Sequence, residues 1–146
     1  MRNFLVVLFI ISTIFRVNAQ SSDCLNAEGF CTGTNYTFPA SVGTTSPVGP
    51  DYGCLFTQPN PAFYFLQIDQ PGTLSITMQS TPLVDIDFIC WGPFNDPTTM
   101  CDSLTAAYIE DCSYSAFPIE ICNITNAITG QYYILLITNY SNQICD

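Results

Sequence analysis

A run of alternating side chains restricts this chain to β-structure. Val84–Phe94 reads Val-Asp-Ile-Asp-Phe-Ile-Cys-Trp-Gly-Pro-Phe, apolar and acidic residues taking turns up to the breaker pair Gly92-Pro93. Strand side chains repeat with period two, so Ile86, Phe88 and Cys90 should face a core. Asp85 and Asp87 should then share the opposite face, about 7 Å apart along the strand. Two carboxylates that close repel each other unless one is protonated or a cation lies between them.

The same period recurs elsewhere. Thr73–Gln79 alternates cleanly, with Leu74, Ile76 and Met78 on one face and Thr73, Ser75 and Thr77 on the other. This is the pattern of a half-exposed antiparallel strand. Phe63–Asp69 is apolar on both faces and should be central. The turn residues Gln70-Pro71-Gly72 between these two segments suggest that they pair as a hairpin. Gly130–Asn139 places Tyr132, Ile134 and Leu136 on one face and Tyr133, Leu135 and Ile137 on the other. It should run through the middle of a sheet. Tyr36–Phe38 and Ile121–Ile124 are shorter strand candidates, and Gly92–Tyr108 reads as a long connection. No useful helical period appears. Short strands punctuated by Pro, Gly and Asn point to an all-β chain, an antiparallel β-sandwich. A further strand would be needed beside Gly130–Asn139 to close the sheet edge, so a longer parent protein is expected.

The N-terminus reads as an address. Met1-Arg2-Asn3 precedes an apolar run from Phe4 to Phe15, and Val17-Asn18-Ala19 offers small residues at a cleavage site. This is the pattern of a secretory signal peptide at residues 1–19, leaving one domain at 20–146. The apolar run is too short to span a bilayer, so no stable membrane insertion is expected after cleavage.

Composition then narrows the chemistry. The chain has two basic residues, Arg2 and Arg16, both inside the expected signal, and no His, against twelve Asp and Glu. Nucleic acid is excluded as a partner, because nothing remains to neutralise phosphate. Triads built on His and His-ligated zinc sites are excluded as well. A carboxylate pair is the one acid/base device left, so a glycosidase-like hydrolase is the catalytic alternative to a binding or spacer role.

All eight cysteines, Cys24, Cys31, Cys54, Cys90, Cys101, Cys112, Cys122 and Cys145, follow the expected signal. An even count in a secreted chain reads as disulfides rather than a zinc-thiolate cluster, and no C-x-x-C pair is present. Connectivity stays open among many pairings, with Cys31–Cys54 and Cys101–Cys112 as the first guesses.

Together these segments resemble a family. Val84-Asp-Ile-Asp-Phe-Ile-Cys-Trp-Gly-Pro resembles the D-x-D-aromatic strand of bacterial pre-peptidase C-terminal (PPC) domains, and Gly130-Gln-Tyr-Tyr-Ile-Leu-Leu-Ile their G-x-Y-aliphatic strand. Phe30-Cys-Thr-Gly-Thr, Pro59-Asn-Pro-Ala-Phe-Tyr-Phe, Asp111-Cys-Ser-Tyr-Ser and Leu135-Leu-Ile-Thr-Asn-Tyr-Ser extend the likeness. They resemble the PPC-like N-terminal module of secreted Bacteroidetes proteins associated with gliding motility and type IX secretion. The resemblance implies a jelly-roll-like or CUB-like sandwich at the cell surface or outside the cell. It implies a non-catalytic module attaching to an extracellular polymer or a surface protein. Some PPC domains bind calcium, which makes Asp85, Asp87 and Asp111 candidate ligands, with Asp96, Asp102 and Glu110 as further oxygen donors. Calcium requires six to eight oxygens, so two Asp alone would not form a site. Trp91, the only Trp, should lie on the Asp85 and Asp87 face. It could stack there on a ligand ring beside Tyr108 or Tyr114, or pack into a core.

Overall fold

A computed structural model of the protein describes residues 21–146 apart from 32, 34, 38, 39 and 41. The expected signal peptide lies outside the described residues, as does Phe38 of the Tyr36–Phe38 strand candidate. Seven strands form: β1 (Glu28–Gly29), β2 (Pro61–Gln67), β3 (Gly72–Gln79), β4 (Ile86–Phe94), β5 (Ile109–Ser113), β6 (Ile119–Ala127) and β7 (Tyr132–Asn139). They build a five-stranded sheet in the order β1-β2-β7-β4-β5 and a two-stranded sheet of β3 and β6. All pairs are antiparallel except β1 with β2. The helical elements among the described residues are three short 3-10 turns at Cys24–Asn26, Met100–Ser103 and Ala106–Tyr108.

The period-two patterns decide which sheet face each side chain meets. Tyr64, Phe88, Cys90, Tyr133 and Leu135 point from the large sheet toward Met78, Cys122 and Ile124 of the small one, forming an inner core. The alternate residues, Phe63, Ile89, Trp91, Ile134 and Leu136, point the other way into an outer core. That outer core is covered by Cys24, Leu55, Met100 and Leu104 from loops and 3-10 turns. Because both faces are covered, β4 and β7 are buried almost throughout, as continuous apolar runs require.

Three expectations are corrected. β2 and β3 do not form a hairpin: β2 pairs with β7, whereas β3 pairs with β6 in the other sheet. The Gln70-Pro71-Gly72 turn therefore carries the chain across the sandwich. β7 does not lack a neighbour, because it lies between β2 and β4. Among the described residues β1 and β5 in the large sheet and β3 and β6 in the small one each have a ladder on one side only. Finally, Gly92-Pro93 does not end β4. The strand continues to Phe94 with its register to β7 shifted between Trp91 and Phe94. Pro cannot donate to a ladder, so this shift falls where one is needed. Gly92 is required there, since a Cβ would collide with the Tyr133 ring.

β5 is the strand that the sequence pattern hides. It carries Glu110 and Asp111 where an alternating strand would carry apolar residues. Both carboxylates reach across to β6. Asp111 accepts from the Asn123 amide at 2.7 Å, and Glu110 accepts from the Thr125 amide at 2.9 Å. Side chains thus replace a backbone ladder between the two sheets along this side of the sandwich.

Two disulfides staple the outer layer. Cys24–Cys101 ties the first 3-10 turn to the second, and Cys54–Cys112 ties the loop after Asp51 to β5. The guessed pairings Cys31–Cys54 and Cys101–Cys112 are therefore wrong, since Cys54 and Cys101 take other partners. Sequence proximity misled here: the bridges close loops of 77 and 58 residues, spanning the sheet rather than neighbouring turns.

Candidate functional site

Of the two carboxylates expected on one strand face, Asp87 lies in β4 and is buried, whereas Asp85 precedes the strand and is half-buried. Asp87 stands opposite Thr138 of β7 and shares its face with Ile89 and Trp91 of the outer core. It is only 2 % exposed. Its Oδ1 accepts from the Ser115 amide at 3.0 Å, and the Ser115 hydroxyl donates a short hydrogen bond to Glu120. Burial, reinforced by the neighbouring Asp85 charge, pushes Asp87 up to about 7. Burial and then Glu120 also raise Asp85 above its usual range. One Asp85 carboxylate oxygen and the Thr138 hydroxyl are buried without a hydrogen-bond partner among the described residues. Among the described residues there is no cationic side chain to offset the Asp85 and Asp87 charges, and both carboxyls have raised pKa values.

Asp111 does not join this pair. It is in register with Cys90, whose side chain faces the inner core, so Asp111 sits on the opposite face of the sheet. Its oxygens already accept from the Cys112 and Asn123 amides. The expected calcium set of Asp85, Asp87 and Asp111 is therefore not brought together. Among the described residues no three of His, Cys, Asp and Glu form a group that could hold a metal ion. Asp96 turns its Oδ1 onto the Thr98 amide and hydroxyl of its own loop, which lowers its pKa.

Trp91 is fully buried. Its indole N–H donates to the Asp51 carbonyl at 3.0 Å, and its ring meets Tyr52 edge-on. A buried Trp with its N–H satisfied is a packing residue, so stacking on a ligand ring is ruled out for it.

What the pattern did not point to is a cleft of about 820 Å³ between the sheets. It opens where the two-stranded sheet fails to cover the β1–β2 side of the five-stranded one. Tyr64 of β2 forms one wall and Leu74, Ile76 and Met78 of β3 the other, with Phe30 and Cys145 at its margins. Leu74 and Ile76, read from sequence as inward-facing, are half-buried and line the cleft together with residues 35–37. At the end of β3, Thr81 exchanges two backbone hydrogen bonds with Asp146, at 2.7 and 3.0 Å. The β3 side of the cleft thus accepts an added extended segment at one point.

No family model matches the chain, and neither a curated protein nor a solved structure shows significant similarity to it.

Proposed function

We propose that this chain is a secreted or cell-surface, non-catalytic binding module of the PPC-like type. Its acting surface is the cleft along β3, and its ligand is an extended polypeptide segment that adds to the β3 edge and lays alternate apolar side chains on Leu74 and Ile76. The observation that carries this reading is the pairing of an apolar cleft with a strand edge that has no ladder of its own among the described residues. Strand addition draws affinity from main-chain hydrogen bonds and specificity from pockets for alternate side chains, and this surface offers both. The Thr81–Asp146 exchange supports it, because the same side of the sheet already takes up extended backbone there.

Extracellular placement is supported by the two disulfides. A non-catalytic role is supported by the position of the carboxylate with the largest upward shift. Asp87 is buried in the outer core, where no substrate reaches it.

Selection of displayed linear peptides on the secreted protein tests this reading. The expected outcome is enrichment of sequences with alternating apolar residues, whose binding Ile76→Ser abolishes while the circular dichroism spectrum is unchanged. Enrichment insensitive to Ile76→Ser, or binding of polysaccharide instead of peptide, would overturn it.

A further inference from the structure

Both disulfides lie on one side of the large sheet. Cys24 and Cys101 belong to the outer layer, and Cys112 of β5 packs against the outer core with Cys54 bonded to it. No disulfide joins the large sheet to the small one among the described residues. Yet the inner core holds two further cysteines on facing strands, Cys90 of β4 and Cys122 of β6. Both are fully buried.

Their surroundings bring them together. Cys90 is in register with Asp111, and Asp111 accepts from the amide of Asn123, the residue after Cys122. The carboxylate latch between β5 and β6 therefore closes directly beside the cysteine pair. Residues of β4 and β6 approach within 8 Å, Cα to Cα. That is closer than the roughly 10 Å between facing sheets, and near the reach of a disulfide. Cys90 and Cys122 are both free thiols in this structure, and Cys122 is the neighbour that, with burial, raises the Cys90 pKa well above its ordinary range. Among the described residues no His, Lys or Arg is available to recruit this pair for catalysis, and no third ligand is grouped with it for a metal.

We propose that Cys90 and Cys122 are an oxidation site, and that in the secreted protein they form a third disulfide that joins the two sheets through the inner core. The bond forms by exchange. One cysteine thiolate attacks a sulfur of an oxidant that carries a disulfide, either a thiol–disulfide oxidoreductase or a small-molecule disulfide. The second thiolate displaces the mixed disulfide. The two thiol protons and two electrons end on the oxidant, which leaves as a dithiol when it is the oxidoreductase and as two thiols when it is the small molecule. The oxidant must act before the core closes. In the folded protein the Cys90 thiol is held well above its ordinary range by the neighbouring Cys122 and by burial, so little thiolate is present. A thiol pair left reduced at folding would then be sealed from later oxidation.

The bridge would fasten the small sheet on the side where Asp111 and Glu110 already hold it, leaving the β3 side as the open one. It depends on the oxidising compartment that the other two bridges already indicate, and not on the cleft having a ligand.

The test is peptide mapping of the full chain, expressed with its signal and recovered from the medium. The protein is denatured without reductant, alkylated with iodoacetamide and digested with pepsin at low pH, which halts exchange and needs no basic residue. The expected result is a linked peptide pair containing Cys90 and Cys122 that separates on reduction. In a Cys90→Ser variant, Cys122 should instead appear alkylated. Recovery of both residues as alkylated thiols in the wild type, or of either joined to another cysteine, would overturn the proposal.

Discussion

The two faces of the five-stranded sheet are covered in different ways. Its outer face lies under loops and 3-10 turns, tied down by Cys24–Cys101 and Cys54–Cys112. Its inner face lies under a two-stranded sheet held by apolar packing and by the Asp111 and Glu110 latches. Loops have no ladder to fix their shape, and here covalent links supply it. A sheet has a ladder, but two strands are too narrow to cover five. Beneath the loop cover Trp91 is fully buried. The sheet cover leaves a cleft along β3. The surface proposed to bind a ligand lies where the cover is regular but incomplete.

The largest effect should come from the loop side. Removing the Cys54–Cys112 bridge by a double Ala substitution should lower stability by about 4 kcal/mol, from the chain entropy released by a loop of 58 residues. Urea unfolding measures it. A loss below about 1 kcal/mol would mean that the loops hold their shape unaided. Trp91→Ala should cost a similar amount, about 4 kcal/mol, since it empties the outer core and orphans the Asp51 carbonyl. On the other face, Ile124→Ala should cost about 3 kcal/mol in the same assay. Asp111→Ala should cost about 2 kcal/mol, because it strips charged acceptors from the Cys112 and Asn123 amides. If Asp111→Ala proves neutral, the latch does not hold the sheets together.

The smaller effects concern the acidic face. Asp87 has its folded-state pKa raised from 3.8 to about 7. A raised pKa gives a contribution fully present below the unfolded value and lost as pH rises through the folded one. Stability should therefore rise as pH falls from about 8 to about 4, and Asp87→Asn should flatten that slope. Melting curves across this range show whether it does, and a wild type that loses stability over it would reverse the sign of this account. Millimolar calcium should leave the melting temperature unchanged, since Asp111 is committed to amides on the other face. A rise reversed by a chelator would show that Asp85 and Asp87 recruit ligands the fold keeps apart.

Much of the fold was readable from side-chain period. Gly130–Asn139 has both faces where the alternation put them, and Leu74, Ile76 and Met78 do face inward. Pairing was less readable, because period two fixes a face and says nothing of the neighbour. The Pro71-Gly72 turn suggested a hairpin, yet the chain crosses between sheets there. β5 was missed because its carboxylates serve β6 amides, a role that polarity alone does not reveal. Asp87 lies on the Trp91 face of β4, as the alternation expects, but an acidic pair beside Trp91 suggested a solvent-facing or metal-bound surface. The structure buries Asp87 instead, because β4 is covered on both sides.

The asymmetry of the smaller sheet is tested most directly by residue-resolved amide hydrogen exchange on the secreted protein. The account predicts protection of the Asn123 and Thr125 amides of β6, which the latches hold, and fast exchange at alternate amides of β3, whose outer edge lacks a ladder. Uniform protection along β3 would contradict it, since the edge offered here as the binding surface would then already be paired.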